Sequence, residues 1–183
     1  MSPALLTEQS RLGLERALHS AIKTHLVRDS ADVCVISRSE KALPPSTDGK
    51  LIQITISSFT FRLIVMFHID ESPTLSAYFK GLHREAVLEE AFYEVANLSC
   101  GALNRYISRD FRHLAMSIPY TLDAACGAYL SELRPEHVST TIVTINDTIR
   151  IALTLCLCCQ APVSFQAAPP QAESGSDGAL ELF

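Results

Sequence analysis

The chain has 183 residues, 48% of them hydrophobic and 19% charged, a composition that excludes a disordered chain. That length fits one domain, with a core large enough to need no disulfide staples. The 15 Lys and Arg against 20 Asp and Glu leave a net charge of −5, which argues against a nucleic-acid binder that works by neutralising phosphates.

Residues 3–27 predict a helix. Leu14, Leu18, Ala21, Ile22 and Leu26 fall on one face, with Ser2-Pro3 as cap and first-turn pair. No apolar run reaches the ~20 residues of a membrane span, and Glu and Arg interrupt this first segment as they would not in a secretory signal. The cytoplasm is therefore the expected setting, with no membrane partner. Residues 32–37 (DVCVIS) are β-branched and predict a short strand, and 44–49 (PPSTDG) a loop. Residues 51–70 are too long for one strand. A turn near Ser57-Ser58-Phe59 would fold them into an antiparallel hairpin whose second half is central. Pro73 opens a short helical connection to Gly81.

Residues 82–107 give the strongest helical pattern. Val87, Ala91, Val95, Leu98 and Ala102 form an apolar stripe, widened by Phe92, Ser99 and Leu103. A strand over 111–119 ends at Pro119. Residues 120–133 carry no clear pattern. Residues 137–146 and 148–159, joined at Asn146-Asp147, predict a second hairpin. From Gln166 the chain turns to Pro, Gly, Ser and acids, so residues 1–165 are expected to form one domain and 166–183 a disordered tail. The predicted class is α+β: an antiparallel-rich sheet built from hairpins and packed against long helices.

Six cysteines and six histidines are the side chains that could carry thiol or metal chemistry. Cys156, Cys158 and Cys159 form CxCC inside an aliphatic run. Zinc would ask for CxxC-type pairs, so packed strand thiols are the expectation and no metal site is assigned. His19 and His25 share no helix face, and no histidine is close in sequence to activate Ser99 or Cys100.

The long helix carries a feature that its amphipathicity does not require. Glu90, Glu94, Asn97 and Gly101 stand at i, i+4, i+7 and i+11, within about 60° on the wheel. A carboxylate, a carboxamide and a bare glycine thus share one ridge, although glycine inside a helix costs about 1 kcal/mol relative to alanine.

The run Glu94-Val95-Ala96-Asn97, with Gly101 after it and Pro119 further on, resembles the signature of the CheC/CheX/FliY chemotaxis phosphatases. The order of elements resembles the CheX-like fold over about residues 5–160. Glu90 stands where that family usually has Asp or Ser, and Pro119 arrives one residue early. A single ExxN is present, as in the CheX branch. The resemblance implies an aspartyl-phosphate phosphatase acting on a phosphorylated response-regulator receiver domain of CheY type. In it Asn97 would orient the attacking water and Glu94 would pair with the receiver's active-site lysine. Glu90, Gly101 and Pro119 would contact the partner. No cofactor is implied on this chain; Mg²⁺ would reside on the receiver. A non-catalytic receiver-binding adaptor or dimerisation module with the same fold is the alternative. Relatives pair through sheet edges, which leaves a homodimer open.

Overall fold

The computed structural model describes residues 5–39, 49–70, 72–80 and 88–164. Helix α1 spans Glu8–Leu26 and buries Leu14, Leu18, Ala21, Ile22 and Leu26, the face expected from spacing. It starts later than predicted because Thr7 is the cap: its Oγ1 accepts the Ser10 N–H at 3.2 Å. Leu6 is already extended, in a parallel bridge with Val163, and the Val163 N–H donates to the Leu5 carbonyl at 2.7 Å. The Ser2-Pro3 pair lies outside the described residues.

The strands are β1 (Cys34–Arg38), β2 (Lys50–Ser57), β3 (Phe61–Ile69), β4 (Ala115–Met116), β5 (Tyr120–Asp123), β6 (His137–Ile145) and β7 (Ile149–Cys159). They form one sheet, ordered β1-β6-β7-β3-β2-β4, with β5 also on β2 and every pair antiparallel. Both predicted hairpins form. The first turns at Ser58–Thr60, where the Ser58 N–H donates to the Phe61 carbonyl at 2.9 Å. The second turns over residues 146–148, with Asn146 and Asp147 both left-handed (φ 50° and 59°) and the Thr148 N–H donating to the Ile145 carbonyl at 3.2 Å. Asp32 stays out of β1 because its carboxylate takes bonds from the Tyr78 hydroxyl and the Asn146 amide, at 2.6 Å each.

Period-two alternation sends Ile52, Ile54, Ile56, Leu63, Val65, Phe67, Leu153 and Leu155 to one face, where α1 and helix α3 (Leu88–Ile107) cover them. The opposite face holds a smaller cluster of Leu51, Ile64, Met66 and Cys156 under Leu130. Cover on both faces explains the nearly uniform apolarity of β3. A polar line crosses that second face: His68 Nε2 lies 2.8 Å from Thr154 Oγ1, itself 3.1 Å from Thr140 Oγ1. Burial holds the His68 imidazole down to about 4.

Helix α2 (Pro73–Lys80) matches the expected connection. Ser72 Oγ accepts the Leu75 N–H at 3.3 Å, and Pro73 occupies the first turn. One predicted strand and one unassigned stretch differ from the sequence expectation. The 111–119 strand shrinks to Ala115–Met116, because 108–111 closes the end of α3 through bonds to the Asn104 and Ile107 carbonyls. The unpatterned 120–133 stretch becomes β5 and a 3-10 helix, Ala124–Leu133, begun by Asp123, whose carboxylate accepts the Ala125 N–H at 2.8 Å. Its small residues and its period of three, with Gly127 and Leu130 buried, suit that tighter helix.

All six cysteines are free thiols. Alternation along β7 packs Cys158 beside Cys156 on the second face and Cys159 towards the helices, so the CxCC run is divided between two layers. Burial pushes the Cys156 thiol up to about 12 and that of Cys159 up to about 11.

The tail from Gln166 lies outside the described residues, whereas Val163 is 1% exposed. A chain ending at Phe165 should melt within about 2 °C of the full one. A chain ending at Gln160, which loses buried Val163 worth about 1.5–3 kcal/mol, should melt several degrees lower. Thermal melts followed by circular dichroism check both; a large fall from removing 166–183 alone would contradict this account.

Candidate functional site

Helix α3 decides what the molecule presents. Phe92, Ala96, Ser99, Cys100 and Leu103 are fully buried, and Leu88, Val95, Tyr106 and Ile107 nearly so. The helix packs against both the sheet and α1, so it buries a wide arc. That arc is turned by about 100° from the apolar stripe expected from the sequence. Val95 is buried as expected, but Leu98 is 45% exposed and Ala91 and Ala102 are half-buried. Val87 lies outside the described residues. Phe92, Ser99 and Leu103, on the flank of that stripe, are the centre of the buried face.

The first turns of α3 are held by charge. Glu89 Oε2 accepts from Lys50 Nζ on β2 at 2.9 Å. Its Oε1 accepts from the Tyr93 hydroxyl at 2.8 Å and from the Thr121 hydroxyl on β5. The Tyr93 and Thr121 hydroxyls lie 2.7 Å apart. The Thr121, Lys50 and Tyr93 bonds together hold the Glu89 carboxyl down to about 2. Phe92 packs on Phe79 of α2 at 4.7 Å between ring centroids.

With that arc buried, Glu90, Glu94 and Asn97 point into solvent and Gly101 is half-exposed. All four share the face opposite the buried arc, as the helical spacing predicted. Among the described residues no side-chain hydrogen bond or ion pair engages Glu90, Glu94 or Asn97. A Cβ added to Gly101 would meet only the Arg105 guanidinium, at 3.9 Å. Nothing else described within the chain asks for a glycine there.

Pro119 sits on the sheet edge next to this helix. Between the β4 and β5 pairings, Ile54 and Thr55 of β2 face three residues, Ser117, Ile118 and Pro119. This is a one-residue β-bulge, where a missing N–H is tolerated. Ser117 bridges it: its N–H donates to the Thr55 carbonyl at 2.9 Å, and its Oγ accepts the Thr55 N–H at 3.0 Å. Two residues on, Thr121 contacts Tyr93, the neighbour of Glu94. The structure thus gathers Glu90, Glu94, Asn97 and Gly101 on one face and ties the proline segment to the same helix through Thr121 and Tyr93.

The remaining candidates are separated. Cys100 is fully buried, and burial pushes its thiol up to about 12, so it is no nucleophile. Ser99 is buried, with its Oγ unbonded. His19 lies 3.1 Å from Thr141 Oγ1 and His137 3.0 Å from Glu15 Oε1. Among the described residues no three His, Cys, Asp or Glu side chains gather in a metal-binding group, and no helix is long and apolar enough to cross a membrane.

No family model matches the sequence, and no curated protein matches it by sequence either. Solved structures match it in fold. The CheX–CheY–BeF3–Mg²⁺ complex from Borrelia burgdorferi aligns with a TM-score of 0.55 at 11% identity, covering 80% of this chain and 96% of that one. The chemotaxis protein CheX from Desulfovibrio desulfuricans aligns at 0.52 and 10% identity, covering 82% and 99%. A CheC-like superfamily protein from Shewanella sp. PV-4 aligns at 0.51 and 10% identity, covering 82% and 98%. The architecture is therefore that of the CheC and CheX chemotaxis proteins. More narrowly, the chain has a CheX-like α+β fold, in which α3 is the long helix on the sheet.

Sequence reasoning missed the Glu89 anchor, whose partners Lys50 and Thr121 are far away in the chain. It also placed Leu98 in the core, although Leu98 stands one turn from Glu94 and is the residue next to Asn97. The anchor gives a pH-dependent prediction. Its carboxyl lies at about 2 in the fold against an ordinary 4.5, so the stabilisation is complete above about pH 4.5 and lost as pH falls towards 2. Glu89→Gln should lower Tm by several degrees at pH 7, and the gap to wild type should close between about pH 4.5 and 2. Melts across that range check it; a gap independent of pH would remove the carboxylate as the cause.

Proposed function

We propose that this protein docks α3 on a phosphorylated CheY-type receiver domain in the cytoplasm and hydrolyses its aspartyl phosphate. The observation that carries this reading is a pair of exposed side chains, Glu94 and Asn97, one turn apart on the long helix of a CheX-like fold and without partners among the described residues. A buried or internally paired Glu94 could not serve a partner. The glycine one turn beyond Asn97, which the described packing does not require, supports close approach of another backbone.

The chemistry asked of the chain is small. The water oxygen bonds to phosphorus, the acyl P–O bond breaks, the receiver's aspartate leaves as carboxylate, and the proton goes to solvent. Asn97 accepts one hydrogen of the water through its amide oxygen and so holds the water in line for attack. Positioning of this kind removes an orientational barrier without any acid or base on this chain. Glu94 pairs with the receiver's active-site lysine and fixes the register of the helix. The divalent cation, Mg²⁺, belongs to the receiver.

The two residues then separate in experiment. Asn97 acts in the transition state, so Asn97→Ala should slow single-turnover phosphate release by about 100-fold while affinity for a beryllofluoride-locked receiver changes little. Folding should be untouched, since alanine favours the helix and the site is exposed. Release at the wild-type rate by this variant would refute the mechanism. Tight receiver binding by wild type with no acceleration would leave the adaptor reading in its place, for which the Glu90 departure already speaks. Glu94 acts in docking. Glu94→Lys sets two cations against each other and should weaken association sharply at unchanged circular dichroism. Titration against the locked receiver measures it, and unchanged affinity would take Glu94 out of the interface.

A further inference from the structure

Charge on α3 and the turn after it is sorted by position. Residues 88–97 carry Glu89, Glu90 and Glu94 and no cation, whereas 98–113 carry Arg105, Arg109 and Arg112 against the single acid Asp110. Glu89 is engaged inside the fold by Lys50, so the exposed charge of the first half is Glu90 and Glu94. At the other end Arg105, Arg109 and Arg112 are all exposed, and among the described residues none of their guanidiniums has a hydrogen bond or an ion pair. Arg105 belongs to the ridge itself. It stands at i+11 from Glu94, within about 20° of it on the helical wheel. Its guanidinium lies back along the helix, 3.9 Å from a Cβ added at Gly101, a level one turn or about 6 Å beyond Asn97. The Ser108 N–H still donates to the Asn104 carbonyl at 2.9 Å, so the helical path carries Arg109 to one turn past Arg105. Burial pushes the Tyr106 hydroxyl up while the charges of Arg109 and Arg16 both pull it down, which puts the exposed Arg16 of α1 at the same corner.

The exposed strip is therefore bipolar, with carboxylates before Asn97 and guanidiniums after Gly101. An apolar occupant over the basic end would leave three charges desolvated and unpaired, so the occupant is anionic. Guanidinium pairs equally well with carboxylate and with phosphoryl oxygens. A single phosphoryl group facing Asn97 meets one guanidinium at most, whereas Arg105, Arg109 and Arg16 spread over more than one turn and two helices. A row of carboxylates matches that spread. A receiver supplies one, because a site that holds Mg²⁺ is built of oxygen ligands, carboxylates first among them. We infer that Arg16, Arg105 and Arg109 form a cationic docking patch for the acidic rim of the receiver's phosphorylation site. The inference rests on the receiver-docking reading and extends it to a second contact of opposite sign. With an anionic and a cationic end, the ridge accepts the receiver in one direction only and attracts it before contact.

The test is stopped-flow association of the full chain with a beryllofluoride–Mg²⁺-locked panel of CheY-type receivers, across a range of salt. The double variant Arg105→Glu with Arg109→Glu should fold as wild type, because both sites are exposed and without partners. At about 20 mM salt its association rate should fall by about tenfold or more, and by about 0.5 M salt the gap should close to within about twofold. Its dissociation rate should change far less. Arg105→Lys keeps the charge and should keep the rate. Should the reversed form fold poorly, Arg105→Gln with Arg109→Gln gives the same salt-dependent loss at smaller size. On the receiver, Asp and Glu of the rim replaced by Asn and Gln should remove the salt dependence, and a rim acid changed to Arg should restore association with the reversed variant. If wild type binds a receiver and the double variant associates at the same rate in low salt, the patch is refuted and the docking reading stands. A loss equal at low and high salt also refutes it, since the cause is then not charge. Salt dependence that survives neutralisation of the rim acids shows that carboxylates are not the occupant. If wild type binds no receiver in the panel, the docking reading falls and the patch falls with it.

Discussion

The structure depends on how α3 is shared. A helix resting on a sheet alone would bury one stripe; α3 also meets α1 and therefore buries an arc from Leu88 and Val95 round to Cys100 and Ile107. Once that arc is fixed, what remains for solvent follows geometrically, and it is the strip bearing Glu90, Glu94, Asn97, Leu98 and Gly101. The Glu89 carboxylate sets rotation and depth at the first turns by drawing Lys50, Tyr93 and Thr121 together. The exposed ridge is thus a consequence of core packing, which gives it rigidity without a loop or a ligand to hold it.

The same logic connects the sheet edge to the helix. The bulge at Ser117–Pro119 shifts the register of the edge strand by one residue, so that Thr121 faces the helices and can reach Tyr93. Proline suits the bulge because no ladder bond is asked of it there. A chain without the extra residue would turn Thr121 to the other face of the sheet and leave Glu89 with one donor fewer. Stability of the first half of α3 and presentation of the ridge are therefore coupled through a single backbone irregularity.

Much of this was legible in the sequence where the signal is local. The period-two runs in 51–70 and 137–159 and the helical spacing of Leu14, Leu18, Ile22 and Leu26 predicted elements that the structure contains, because each pattern reflects burial of one face. The alignment of Glu90, Glu94, Asn97 and Gly101 was equally local and equally readable. Rotation of α3 was not. Two apolar arcs compete on that helix, and the choice between them is made by α1, far off in sequence. The 3-10 helix escaped because Gly127 interrupts its alanines and its burial recurs every three residues, at Gly127 and Leu130 on the second sheet face, rather than at α-helical spacing. The split 115–123 edge escaped because a bulge is a property of two strands.

The central claim is that the α3 ridge is the surface that meets a receiver. Chemical-shift mapping of the labelled protein on addition of a beryllofluoride-locked CheY-type receiver tests it most directly, since the Asn97 side-chain amide gives its own resonance. The account predicts the largest shifts at that amide and at the backbone of Glu94, Leu98 and Gly101, with weaker ones at Ile118 to Thr121. Shifts concentrated on β1 or on the 3-10 helix, with the α3 resonances unmoved, would contradict it.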